Sequence, residues 1–171
     1  MPRVYVAIGG NIEPEQRLAI AARALHRRFP GIQFSACYRN PAVGFAGEDF
    51  INAVAGFDTE DSADQVLAAL HAIEAQCGRE RADPQWAPRA LDLDLLLYGS
   101  SVARTADYQL PRPDLLRRSY MLRPLAQLAP ELRHPLTART IADHWQELAR
   151  EPHRLERLGL ELNDSKSADR P

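Results

Sequence analysis

The chain has 171 residues, 45% of them hydrophobic and 26% charged, which suits one globular domain with a full core and leaves little for a second. Its 21 basic and 23 acidic residues give a net charge of −2, so no global field draws it to nucleic acid or to an anionic membrane, and any polyanion must be gripped by a local cluster. Two cysteines far apart, Cys37 and Cys77, exclude a disulfide framework and a paired-cysteine zinc site, and no apolar run reaches the length of a membrane span or a signal sequence, so a reduced, cytoplasmic protein is expected.

In chain order, residues 3–8 are rich in β-branched and aromatic side chains and run into Gly9-Gly10-Asn11, which predicts a strand and then a turn. Residues 15–29 repeat Leu18, Ala21, Ala22 and Leu25 at helical spacing before Pro30-Gly31. Neither G-x-x-x-x-G-K-[ST] nor G-x-G-x-x-G occurs, so the turn reads as structural. Residues 32–38 and 50–57 predict a second and a third strand. The connection between them is long and dense in Pro and Gly, and its Val43 and Phe45 suit a lid over a substrate. Asn52, in an otherwise apolar strand, offers a donor and an acceptor side by side to a heterocycle, or serves structurally at a sheet edge. Residues 61–77 predict a helix burying Val66, Leu67, Leu70, Ile73 and Cys77, with His71 and Glu74 one turn apart beside that stripe.

The fourth strand, residues 91–98, follows a loop that ends in Trp86-Ala-Pro-Arg89. Alternation turns Leu91, Leu93, Leu95 and Leu97 to the core, and Asp92, Asp94, Leu96 and Tyr98 to the other face. Two like charges about 6–7 Å apart at Cα repel unless a cation lies between them or one is protonated. Oxygen-only ligands suit magnesium, while solvated aspartates on a wet sheet face are the plain alternative. All basic residues but Lys166 are arginines, whose planar forks pair well with phosphate. The order β-α-β-β-α-β predicts an α+β, ferredoxin-like sandwich: a four-stranded antiparallel sheet, both helices on one face, with C-terminal additions. Those additions are a short helix near Asp114, another over residues 124–132 and a third over 141–149. Residues 1–158 are expected to form one domain and 159–171 a disordered tail.

Trp86-Ala-Pro-Arg89 followed by Leu-Asp92-Leu-Asp94-Leu-Leu, with Tyr38-Arg39 and a Pro/Gly loop upstream and Arg118-Ser-Tyr-Met-Leu-x-Pro-Leu-x-x-Leu-Ala-Pro-Glu131 downstream, closely resembles the 6-hydroxymethyl-7,8-dihydropterin pyrophosphokinases of folate biosynthesis. The resemblance covers residues 3–135 and implies transfer of a diphosphate from ATP to the hydroxymethyl oxygen of the pterin, with release of AMP. It implies two magnesium ions on Asp92 and Asp94, and catalytic roles for those aspartates with Arg81 and Arg89. ATP contacts are implied for His71, Glu74, Arg81, Trp86, Arg89, Leu95, Arg112 and Arg118. For the pterin it implies Phe50 and Tyr120 against the ring, Asn52 on its polar edge and Val43 closing the pocket. Departures from the family pattern fall at Gly10, Asn40, His71 and Arg112-Pro113, around the nucleotide rather than at the metal positions.

Two other classes fit the fold. An RNA-binding ferredoxin-like module needs aromatic strands and a basic face, which two aspartates oppose. A non-enzymatic small-ligand domain needs neither the aspartate pair nor the arginine loop. A monomer acting on small molecules, without nucleic acid or membrane partners, is expected.

Overall fold

The computed structural model describes residues 1–41, 48–77 and 91–163. Its elements are β1 (Arg3–Gly10), α1 (Pro14–Arg28), β2 (Gln33–Phe34), β3 (Cys37–Asn40), β4 (Phe50–Asp58), α2 (Ala63–Cys77), β5 (Asp92–Tyr98), a small ribbon of β6 (Ala103–Arg104) and β7 (Gln109–Leu110), a 3-10 turn (Pro113–Leu116), α3 (Ser119–Leu128), α4 (Ile141–Leu148) and β8 (Glu156–Leu158). The main sheet runs β5-β1-β4-β3-β8, with β2 also on β4, and every pairing is antiparallel. This is the α+β, split βαβ arrangement that the sequence predicts, widened by β8 on the β3 edge. The expected strand over residues 32–38 is broken into β2 and β3 at Ser35, whose N–H donates to the Val54 carbonyl while its Oγ accepts from the Val54 N–H, at 2.8 and 2.9 Å. A short hydroxyl thereby stands in for one rung of the ladder.

One sheet face carries the core that α1 and α2 cover. Val4, Val6 and Ile8 of β1 meet Leu18, Ala21, Ala22 and Leu25 of α1 and Val66, Leu70 and Ile73 of α2, all buried. Each helix shows its apolar residues at three- and four-residue spacing, which is the stripe that this burial requires. The second face is not left open. Tyr5, Ala7, Val54, Leu96 and Leu97 lie beneath Leu115, Met121, Leu122, Leu125 and Ile141, so α3 and α4 roof over much of it.

Leu97 is a correction to strict alternation. Tyr5 pairs with Leu97 but Val6 with Leu95, so β5 carries one extra residue, Leu96, opposite a single step of β1. A bulge of this kind shifts the side chains after it to the other face. Leu97 joins Leu96 under α3, whereas Tyr98 turns to the α1/α2 side and donates from its hydroxyl to the Asp61 carbonyl at 2.5 Å. Asp92 and Asp94 precede the bulge and stay on the second face.

α3 begins at Ser119, five residues before the expected start, with Pro124 inside it. Proline favours a first helical turn, which made residue 124 look like a beginning, and here it costs one backbone bond in a helix held by its packing. At the C-terminus, β8 pairs with β3 through Cys37↔Leu158, Tyr38↔Arg157 and Arg39↔Glu156. Leu162 is buried and the Asn163 side chain accepts from the Phe34 N–H and donates to its carbonyl, at 2.9 and 3.1 Å. The chain therefore stays on the body to Asn163, beyond the point where polar composition suggests a tail. Arg123 pins this segment, donating to the Leu155 carbonyl at 3.3 Å with its guanidinium 4.9 Å from the Tyr38 ring.

The loop between α3 and α4 holds a buried histidine. His134 is 4% exposed, and its Nδ1 accepts the Leu136 N–H at 3.2 Å, so that nitrogen carries no proton. Burial, and then the neighbouring His144, holds its pKa below the ordinary 6.5. The folded state thus resists protonation, and stability that is present above the unfolded value is lost as pH falls below 6.5 towards the depressed one. His134→Asn keeps an acceptor for Leu136 and cannot be charged. Its melting temperature, followed from pH 7.5 down to pH 5, is expected to fall less than that of the wild type, and parallel curves would count against His134 as the titrating group.

Candidate active site

The uncovered part of the second face is a cavity of about 320 Å³ at the N-terminal ends of β4, β5 and α3, a volume suited to a small heterocycle. Small residues of β1 make its floor. Gly9 lies between Asn52 of β4 and Asp92 of β5, and Ala7 lies between Val54 and Asp94. Gly9 is required by this close approach, because a Cβ there would overlap Asn52 Oδ1. Phe50, Asn40 and Tyr120 supply walls, and Arg112 and Asp114 the rim. A wider groove of about 580 Å³, beside Arg39, Glu15, Glu48 and Asp49, is shallow and carboxylate-lined without such aromatic walls.

Asp92 and Asp94 sit on the same face of β5, as the alternation before the bulge dictates. Arg112 reaches across to them. Its backbone N–H is bonded to the Leu96 carbonyl at 2.9 Å, which seats the chain beside β5, and its guanidinium lies 3.6 Å from Asp94 Oδ1 and 3.9 Å from Asp114 Oδ2. Arg112 Nε is buried with no hydrogen-bond partner among the described residues, a donor suited to an anionic oxygen. The Tyr120 hydroxyl is pushed up in pKa by burial, with Arg118 opposing and Asp114 and Asp94 adding to it, so the ring meets a ligand as a neutral phenol.

Among the described residues no three metal-ligating side chains converge. The donor set still fits magnesium, which takes one or two carboxylates and completes its shell with water and substrate phosphate. Asp92 and Asp94 are such a pair, half-buried at the cavity floor.

Of the residues singled out from sequence, the cavity unites Asp92, Asp94, Phe50, Asn52, Tyr120 and Arg112. Glu74 lies behind it. Its buried carboxylate accepts the Leu93 N–H at 2.9 Å and ties α2 to β5 between the two aspartates. Burial raises its pKa, the bond to Leu93 works against the rise, and Asp92 adds to it. His71 is exposed on α2, Arg118 is exposed just before α3, and Leu95 is buried in the core under α2. Val43, Arg81, Trp86 and Arg89 lie outside the described residues. From the sequence Gly9 reads as part of a turn and Asp114 as a helix cap, and neither Ala7, Asp114 nor Met121 is given a place in the site. A pair of glycines at the end of a β-branched run was the available signal for a close backbone approach.

A family model described as 7,8-dihydro-6-hydroxymethylpterin-pyrophosphokinase matches residues 5–130. A 2-amino-4-hydroxy-6-hydroxymethyldihydropteridine pyrophosphokinase of Pseudomonas aeruginosa is 40% identical over 138 residues, 78% of this chain and 84% of that protein. One of the same name from Synechocystis is 37% identical over 142 residues, 80% of this chain and 71% of that protein. The fold is also that of the crystal structure of Plasmodium falciparum HPPK-DHPS wild type with SDX-DHP, with a TM-score of 0.65 at 11% identity over 86% of this chain, which spans 43% of that longer chain. The matched span contains every residue that lines the cavity, from Ala7 to Met121, and the chain belongs to the 7,8-dihydro-6-hydroxymethylpterin-pyrophosphokinase family.

Proposed function

We infer that this chain transfers a diphosphate from ATP to the hydroxymethyl oxygen of 6-hydroxymethyl-7,8-dihydropterin, releasing AMP, the folate-biosynthesis reaction of its family. The observation that carries this reading is the meeting of two carboxylates with an aromatic pair in one cavity: Asp92 and Asp94 on the floor, Phe50 and Tyr120 on the walls. The hydroxymethyl oxygen attacks the β-phosphorus of ATP, the bond from that phosphorus to the oxygen shared with the α-phosphate breaks, and the hydroxyl proton is lost. Such a transfer depends on in-line positioning and on neutralising charge.

Phe50 and Tyr120 would hold the ring between them and Asn52 would read its polar edge. Asp92 and Asp94 would hold magnesium, two ions by family resemblance, and bound magnesium supplies positive charge to the triphosphate and to the attacking oxygen. Arg112, with its unspent buried donor, meets the phosphates from the rim. By family resemblance Arg118, Arg81 and Arg89 would add positive charge, and His71, Glu74, Trp86 and Leu95 would contact the nucleotide, Leu95 from within the core. Glu74 acts there by fixing β5, since its carboxylate is spent on Leu93. A monomer acting on small molecules in the cytoplasm is part of this reading. Among the described residues no helix is long and apolar enough to cross a membrane.

Phosphorus NMR of the protein with ATP, magnesium and 6-hydroxymethyl-7,8-dihydropterin tests the reading. AMP appearing together with a pterin diphosphate supports it. ADP would indicate a simple kinase, and no turnover would favour a ligand-binding domain.

A further inference from the structure

Asn52 is useful to a heterocycle only if its amide faces the right way round, and both ends of a primary amide have nearly the same shape. Three groups in series settle the matter in this chain. The Pro41 carbonyl can only accept, and Asn40 Nδ2 lies 3.4 Å from it. The Asn40 amide is thereby oriented with its nitrogen towards Pro41 and its Oδ1 towards Asn52, and Asn52 Nδ2 donates to that oxygen. Both asparagines are buried, at 9% and 8% exposure, so water does not compete for these bonds. With its nitrogen held by Asn40, Asn52 turns its Oδ1 over Gly9, where no Cβ blocks it. Gly9, Asn40, Pro41 and Asn52 all line the same cavity.

We propose that Asn40 is a positioning residue for substrate choice: by accepting from Asn52 it locks the polarity of the Asn52 amide, so that the cavity offers a fixed acceptor oxygen to an N–H donor on the edge of the bound heterocycle. The proposal rests on the pterin reading for the identity of the ligand, but the lock belongs to the ligand-free protein. Removing Asn40 leaves a buried amide that can flip, and a ring that presents its N–H then meets an N–H in a share of the molecules. Sites built around such a hydrogen bond discriminate strongly, so the effect falls on binding of the pterin and not on ATP.

The test uses the full-length protein and the variants Asn40→Leu, Asn40→Ala and Asn40→Asp. Asn40→Asp keeps an oxygen facing Asn52, whereas the other two remove it. In Asn40→Leu and Asn40→Ala the KM for 6-hydroxymethyl-7,8-dihydropterin is expected to rise about ten- to a hundredfold, with the KM for ATP within about twofold. Asn40→Asp is expected to bring the pterin KM back to within about fivefold of wild type. Loss of packing alone would affect both substrates and would not be rescued by a carboxylate. The second readout needs no turnover: the Asn52 side-chain NH2 protons, identified by their loss in Asn52→Asp, are followed by NMR in the ligand-free protein. Slow exchange with solvent in wild type and Asn40→Asp, and fast exchange in Asn40→Ala, supports the lock even if the wild type makes no AMP. An unchanged pterin KM in a folded Asn40→Ala, or equally fast exchange in wild type and Asn40→Ala, overturns it.

Discussion

Replacing Asp94 by alanine is expected to lower the rate of AMP formation by about three orders of magnitude or more, with a melting temperature close to that of the wild type. The two halves of this expectation have separate causes. Asp94 lies on the cavity face of β5 with its side chain 32% exposed, so its removal opens no hole in either core. Its contact with Arg112, at 3.6 Å between half-exposed groups, contributes little to folding, and losing one of two neighbouring carboxylates relieves repulsion with Asp92. Turnover depends instead on the charge that the pair can hold at the floor of the cavity. One carboxylate less weakens that hold where the triphosphate gathers negative charge in the transition state; the Glu74 carboxylate is committed to Leu93, and that of Asp114 lies on the rim, 3.9 Å from Arg112. The measurement is AMP release under saturating ATP and pterin, beside thermal unfolding. Turnover near the wild-type rate would remove Asp94 from the proposed metal site.

Leu122→Ala is expected to have the largest effect on stability, about 2–5 kcal/mol, because it removes a fully buried leucine from the packed layer between α3 and the sheet. For a domain of this size that corresponds to a fall in melting temperature of roughly 5–15 °C. The loss is not confined to stability. Leu122 is two residues from Tyr120, and the same layer that buries Met121 and Leu125 presents Tyr120 to the cavity. A loosened α3 therefore gives a variant that still binds ATP but holds the pterin poorly, seen as a rise in pterin KM at temperatures well below the unfolding transition. A variant with wild-type melting and wild-type pterin KM would show that α3 is not what positions this wall.

The aspartate pair was legible in the sequence because strand alternation is a local rule, and it holds over Leu91 to Leu95. It fails from Leu97 for a reason that no single strand contains: the extra residue, Leu96, is visible only against the register of β1. The split βαβ order was likewise readable from periodicity, since α1 and α2 each bury one stripe on one sheet face. The roof on the other face was not. Pro124 disguised the start of α3, and whether a polar-to-apolar C-terminal segment packs back onto the sheet depends on distant partners such as Tyr38 and Phe34. In the site, Asn52 stood out as an amide in an apolar strand and Phe50 and Tyr120 were named through family resemblance, whereas Gly9 and Ala7 act by being small, a contribution that carries no motif. The polarity of Asn52 depends on Asn40 and Pro41 across a strand pair, which spacing along the chain does not reveal.

β8 has a consequence for how the protein is made. The family match ends at residue 130, and every cavity-lining residue has been synthesised by Met121, yet the outer edge of β3 is sealed only when residues 156–158 arrive. On the ribosome the domain therefore passes through a stage in which its binding cavity is chemically complete while one sheet edge still has free backbone donors and acceptors, a template for pairing with another nascent chain. Arg39 puts a charge on that edge strand, which opposes such pairing, and in the folded protein its guanidinium lies 3.6 Å from Glu15 and 3.8 Å from Glu156 of the closing strand. The arrival of β8 thus ends the exposure that its late synthesis creates.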